Sequence, residues 1–363
     1  MRVGLVIYGS LDTLSGGYLY DRKLVESLRS AGDTVEVIGL PPVGYGQALG
    51  QNFSWSIRRK LAALQVDLLL QDELNHPSLF VLNRWLQHQV SAPLIGIVHH
   101  LRSSEQHSRL LRPLYRGIER RFLESLDGYV FNSQSTRQAV TWLAPHQKPY
   151  VVATPGGDAL EEWKHGGNLY AHSQSDISSV QNTWLEILFV GNLMERKGLH
   201  TLLTALGKLP SEQWRLRVIG REVDQNYTQR CKAISSIAGV DGRVQFLGVL
   251  SNTDLVHAYR TSQLLVVPST FEGFGIVYLE AMHWGVVPIA GAAGGSSEII
   301  QHGVNGWLVP PGDAETLTAL IRNACRNPEI LHSMSQAARQ RFTEFSTWRQ
   351  TTDDIRQFLL AQL

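Results

Sequence analysis

Cysteine is scarce in this 363-residue chain, which holds only Cys231 and Cys325, far apart in sequence. Without ligand-like neighbours, the pair implies neither a disulfide framework nor a zinc site. Free thiols of a reducing compartment are the expectation. Long apolar runs are lacking too: no stretch approaches the roughly 18 apolar residues that a membrane helix needs. The sequence opens directly into a strand pattern, Val3 to Tyr8, without the charged and apolar segments of a leader. A cytoplasmic protein is expected. The net charge is only +1, so no general electrostatic argument favours nucleic acid as a partner. No cluster of metal-ligating residues stands out, and no metal or other cofactor is expected.

What remains describes an α/β enzyme. Hydrophobic content of 43% with 18% charged residues fits a globular chain, and the length suits two domains. Residues 2–8 read as a strand, 18–31 as a helix and 34–40 as a second strand, a βαβ opening that favours a parallel sheet. Between them, Gly16-Gly17 lie in a long loop. The third glycine of a dinucleotide fingerprint is absent, so on these residues alone a plain loop and a ligand loop are equal readings. Residues 41–60 are rich in proline and glycine and then basic, and read as a variable loop. Further strands follow at 66–71, 93–98, 129–132 and 150–154. The fourth ends at His99-His100, and open α/β sheets bind ligands at the carboxyl ends of their strands.

Residues 103–125 read as a helix with Arg109, Arg112, Arg116, Arg120 and Arg121 on one side. Leu111, Leu114, Ile118 and Phe122 lie on the other. A solvated basic face is the stronger reading; peripheral contact with the inner face of a membrane is the alternative. Residues 156–182 lack a clear period and read as linker and loop.

The second half repeats the alternation. A strand at 186–190 leads into Gly191 to Gly198, a loop carrying Arg196 and Lys197, and a helix from Leu199. Strands at 216–220 and 244–247 end at Gly220-Arg221 and Gly248-Val249. Ser251 caps the helix that follows, and Trp348 to Leu363 form a last amphipathic helix. The stretch from Leu264 to Asp313 carries the most information. Leu264-Leu265-Val266-Val267 has the length and branching of a buried parallel strand. After it come a turn, Glu272-Gly273-Phe274-Gly275, and a helical pattern from Ile276 that contains Glu280. The glycines let a ligand approach the backbone, and free N–H groups at a helix start favour an anion or hydroxyl-rich group. Eight residues separate the two glutamates, at most about 12 Å if fully helical. That suits two contacts along one extended ligand.

Several features of this stretch occur together in a fixed order: Pro268-Ser269, Glu272-Gly273-Phe274-Gly275, Leu279-Glu280-Ala281-Met282, Gly285 and Pro288, then Gly294-Gly295, Glu298-Ile299-Ile300, Gly303, Asn305-Gly306 and Pro311-Gly312-Asp313. This order and spacing resemble the donor-binding signature of retaining GT-B glycosyltransferases of the GT4 type. The resemblance implies two facing Rossmann-like, doubly wound domains with an active site in the cleft between them. The acceptor-side domain would span 1–160 and be rejoined by the helix 348–363; the donor domain would span 161–347. The implied reaction is transfer of a hexose-type sugar from a nucleoside diphosphate, base unspecified, to a hydroxyl of a glycan, lipid or small molecule. Glu272 would hold sugar hydroxyls and Glu280 the ribose, while Gly273, Phe274, Gly275 and Ile276 would shape the site around them. Lys197 would hold the diphosphate, and His99 would sit near the transferred sugar. Gly16 and Gly17 would form a loop near the phosphates, and Gly220, Arg221, Gly248 and Val249 would lie near base or phosphate. The family usually has arginine where this chain has Asn192, and Arg196 is the candidate to supply that charge. A nucleotide-sugar-binding protein without turnover and a sugar-nucleotide epimerase are the competing readings; a phosphorylase would need a pyridoxal-phosphate lysine in a different setting.

Overall fold

A computed structural model describes residues 1–105, 110–145, 147–158, 184–210 and 213–363. Arg109 and most of the linker reading at 156–182 lie outside the described residues. The chain divides into two compact units, Met1–Gly156 with Ser346–Leu363, and Gly157–Phe345.

The first unit is built on six parallel strands: β1 (Arg2–Tyr8), β2 (Thr34–Leu40), β3 (Leu68–Asp72), β4 (Leu94–Val98), β5 (Gly128–Phe131) and β6 (Tyr150–Val152). Their order is β2-β1-β3-β4-β5-β6. The chain therefore steps outward from β1 to β2, returns, and fills the other side. With right-handed crossovers this reversal places helices on both faces of the sheet. Strands β3, β4 and β5 are buried at every position, the polar Gln71 and Asp72 of β3 included. Val6, Ile38, Leu69, Leu94, Val98, Phe122 and Phe131 pack into one core. The closing helix Trp348–Leu360 belongs to this unit: the Trp348 ring meets Tyr20 edge-on at 5.7 Å, and Arg356 Nε donates to Asp33 at 2.7 Å.

The second unit repeats the plan with β7 (Leu185–Val190), β8 (Trp214–Ile219), β9 (Val244–Gly248), β10 (Leu264–Val267), β11 (Val287–Gly291) and β12 (Trp307–Val309). All pair in parallel, in the order β12-β11-β10-β7-β8-β9. The reversal falls between β7 and β10. Trp214, Phe189, Tyr259 and Tyr278 are the large, fully buried side chains of this unit.

Three sequence expectations are corrected. Gly16 and Gly17 do not lie in a loop: the helix begins at Gly16, capped by the Ser15 hydroxyl, which accepts from the Tyr18 N–H. Neither glycine has a positive φ. First-turn amides have no helical partner, so glycine at these positions loses little there. Residues 41–60 contain the helices Tyr45–Gln51 and Trp55–Ala62 instead of one loop. The helix expected over 103–125 runs only from Arg112 to Glu124, with Pro113 in its first turn. Ile118 and Phe122 are buried while Leu111 and Leu114 are about half exposed, so the expected apolar face is covered only toward its carboxyl end.

Candidate active site

In each sheet the reversal of strand order opens a crevice beyond the carboxyl ends of two neighbouring strands, where such sheets bind ligands. In the second unit those strands are β7 and β10. The loop after β7 is pulled onto the end of β10 by backbone contact. Gly198 has φ +74°, and a Cβ there would stand 2.3 Å from the Pro268 carbonyl oxygen, so only glycine permits the approach. Thr270 N–H donates to the Arg196 carbonyl at 2.8 Å, and the Arg196 guanidinium donates to the Phe271 carbonyl at 2.6 Å.

This closure brings together Arg196, Lys197 and Glu272. Lys197 Nζ donates to Glu272 Oε1 at 2.6 Å, and Arg196 Nη1 lies 3.5 Å from Oε2. The Ser269 hydroxyl donates to Oε1 at 2.6 Å. The carboxylate is buried. Burial pushes its pKa up, but Lys197 and Arg196, with the hydrogen bonds from Lys197 and Ser269, outweigh that and hold it at about 2. Burial also lowers the Lys197 ammonium, and Glu272 offsets this only in part. The two tendencies conflict. We assign the charged pair, since a contact of 2.6 Å to so acidic a carboxyl requires the proton on the amine.

Gly275, at φ +104°, precedes the helix Ile276–His283. Phe274 and Ile276 are buried beside it, while Gly273 is partly exposed. Glu280 lies in the middle of that helix, where it accepts a hydrogen bond from the Tyr259 hydroxyl at 2.8 Å. Burial raises its pKa, and the Tyr259 bond opposes the rise. Asn192 sits in the β7 loop. Its neighbour Leu193 donates to the Arg221 carbonyl at 2.8 Å, Gly191 donates to the Ile219 carbonyl at 2.9 Å, and Gly220 donates to the Gly248 carbonyl at 2.8 Å. Asn192, Gly220, Arg221 and Gly248 thus line adjoining loops after β7, β8 and β9, and Val249 follows, 53% exposed.

The remaining expected residues lie in the first unit. His99 follows β4, buried, with its carbonyl accepting from Thr136 Oγ1 at 3.2 Å. Its Nε2 meets Asp21 Oδ1 at 3.3 Å, and its ring stands edge-on to Tyr20 at 5.2 Å. A Cβ on Gly17 would touch the ring at 3.1 Å, so the helix start and the imidazole pack directly together. Burial lowers the His99 pKa, but Asp21, Asp72 and Glu73 outweigh it and lift it to about 9.

The Glycosyl transferases group 1 model matches residues 173–341, and the Glycosyl transferase 4-like domain model matches residues 15–156. The chain belongs to the GT4-type glycosyltransferases. It is 25% identical over 371 residues to the phosphatidyl-myo-inositol mannosyltransferase of Mycobacterium leprae, across 94% of this chain and 92% of that protein. It is 30% identical over 214 residues to the D-inositol 3-phosphate glycosyltransferase of Saccharomonospora viridis. That match spans 56% of this chain and about half, 48%, of the relative's length. Among solved structures, the sucrose-phosphate synthase of Thermosynechococcus elongatus superimposes with a TM-score of 0.83 at 20% identity, over 99% of this chain and 98% of that one. Anabaena HepE, solved in complex with UDP-glucose, gives 0.75 at 21%, over 99% of this chain and all of that one. These likenesses establish the GT-B fold class. Among the described residues, no helix is long and apolar enough to cross a membrane.

The sequence of this glycosyltransferase did not point to the side chains that hold its expected site residues. Ser269 stood in the signature without a partner assigned to it, and Tyr259 fell only within the helix capped by Ser251. Asp21 left a clearer signal: it lies on the stripe of Tyr18, Leu24, Val25 and Leu28 that the first helix buries. An acid on an apolar stripe needs a partner.

Proposed function

We propose that this glycosyltransferase moves a hexose-type sugar from a nucleoside diphosphate to an acceptor hydroxyl, with retention at the anomeric carbon and without a metal. The observation that carries the reading is the group of two cations and a carboxylate at the β7/β10 crevice, with Glu280 on the helix that follows. In the proposed assignment Lys197 and Arg196 meet the diphosphate as the glycosidic bond breaks, fixed charges doing what a metal would otherwise do. Glu272 takes the sugar hydroxyls and Glu280 the ribose. The loops at Gly220-Arg221 and Gly248-Val249 flank the base. His99, held by Asp21, keeps the role that the family resemblance implies for it. HepE's complex with UDP-glucose supports a nucleoside-diphosphate sugar as donor. The inositol-containing names of two relatives support a hydroxyl-rich acceptor.

Thermal unfolding of the purified protein with UDP, GDP or ADP tests the donor site. A ligand at 100 times its dissociation constant adds about 2.7 kcal/mol. Selective stabilisation by one nucleotide, lost in Glu280→Ala, is the expected result. No response to any of the three removes the donor assignment. Full turnover by Arg196→Ala would show that Arg196 does not stand in for the arginine replaced by Asn192.

A further inference from the structure

The cations assigned to the diphosphate are not waiting for it. Glu272 itself neutralises Lys197 at 2.6 Å and lies 3.5 Å from Arg196. An incoming diphosphate must compete with that carboxylate or be repelled by it. We propose that Glu272 is the resident counter-anion of the phosphate-binding cations, displaced by the donor's diphosphate and thereby handed to the sugar hydroxyls. The proposal rests on the donor-site reading above.

The backbone geometry permits this exchange without loop movement. Glu272 is pinned through its main chain: its N–H donates to the Ala293 carbonyl at 3.2 Å, and its carbonyl accepts from Gly295 N–H at 2.8 Å. Gly294 makes that approach possible, since a Cβ there would stand 1.9 Å from the Glu272 carbonyl oxygen. Only the side chain has to turn. Ser269, three residues away, can follow the carboxylate with its hydroxyl and keep one partner on it. Lys197 runs its methylenes past Gly191, 3.6 Å from where a Cβ would be. The exchange swaps one anion for another, so neither state leaves a buried ammonium without a counter-charge.

The two ligands of the reaction then differ in what they offer Glu272. A nucleotide sugar supplies hydroxyls to the displaced carboxylate. The nucleoside diphosphate left after transfer supplies none, and Glu272 is drawn back to Lys197. The carboxylate thus favours the donor over the spent nucleotide and assists release of the latter.

The test uses calorimetric titration of the wild-type chain, Glu272→Gln and Glu272→Asp with the stabilising nucleoside diphosphate and with its glucose conjugate. Removing the charge in Glu272→Gln should tighten the free diphosphate by about tenfold or more, because the cations then have no carboxylate to give up. The conjugate's advantage over the diphosphate should collapse. Glu272→Asp, one methylene too short to keep the Lys197 contact, should also tighten the diphosphate, by less. It decides the matter if the glutamine variant fails to fold. Unchanged or weaker diphosphate binding in the folded variant overturns the exchange while leaving the donor site standing. A wild-type chain that binds no nucleoside diphosphate fails the donor reading instead.

Discussion

At the scale of single residues, the second unit's crevice depends on positions whose freedom is already used up. Gly294 combines φ +82° with a carbonyl oxygen where its Cβ would be. Gly294→Ala should therefore cost about 2 kcal/mol or more, from left-handed strain and the forced separation of two backbone segments. Because the segment displaced is that of Glu272, nucleotide binding should fall beyond what the loss of stability explains. Urea unfolding paired with nucleotide titration measures both. Glu280 offers a subtler change. It accepts from Tyr259 in a buried setting, so Glu280→Gln keeps the volume and removes only the charge. A charged hydrogen bond to a ribose is worth about 1.5–3 kcal/mol, so affinity for the stabilising nucleotide should drop by at least about tenfold. Binding equal to wild type would place the ribose elsewhere.

At the scale of elements, the closing helix Trp348–Leu360 completes the first unit. Ile355 and Leu359 are fully buried on it, and Thr351 Oγ1 donates to the Thr154 carbonyl at 2.7 Å. Ile355→Ala should destabilise by roughly 2–5 kcal/mol through lost contact and a residual cavity, read as a lower unfolding midpoint in denaturant. Elements of this kind were partly legible beforehand. The strand Leu264–Val267 was readable to the residue because both faces are buried and nothing but apolar side chains occurs in it. The strands at 2–8 and 34–40 were equally exact, while the remaining ones were misplaced by one or two residues at their ends. The helices Tyr45–Gln51 and Trp55–Ala62 were not readable, because each fully buries only one residue, Ala48 or Leu61, too few for a helical period to show. In the donor-side crevice, the glutamates and glycines could be found from their spacing along one continuous segment. Their links to Lys197 and Arg196 could not, since those come from a loop about 75 residues earlier, joined only by the order of strands in the sheet.

At the scale of the whole molecule, the two units carry opposite responses to pH. In the second, Glu272 has its pKa lowered from 4.5 to about 2. Its stabilisation is complete above pH 4.5 and is lost as pH falls toward 2. In the first, His99 is raised from 6.5 to about 9. Its stabilisation is complete below pH 6.5 and is lost as pH rises through 9. Asp21, Asp72 and Glu73 are the groups that face it. Glu73 and Glu119, raised by burial from 4.5 to about 7, act in the same direction, since the folded chain holds their protons more tightly between those values. Stability should therefore peak near pH 4.5, falling below it as Glu272 takes up its proton and falling above it first through Glu73 and Glu119 and then through His99. Denaturant unfolding from pH 3 to 10 would trace the two arms. Glu272→Gln should flatten the acid arm alone. Asp21→Asn, which removes the carboxylate against the imidazole, should flatten the arm between pH 6.5 and 9 and leave the acid arm in place. An alkaline arm that persists in Asp21→Asn would mean that the buried acids, not His99, set the stability of the first unit.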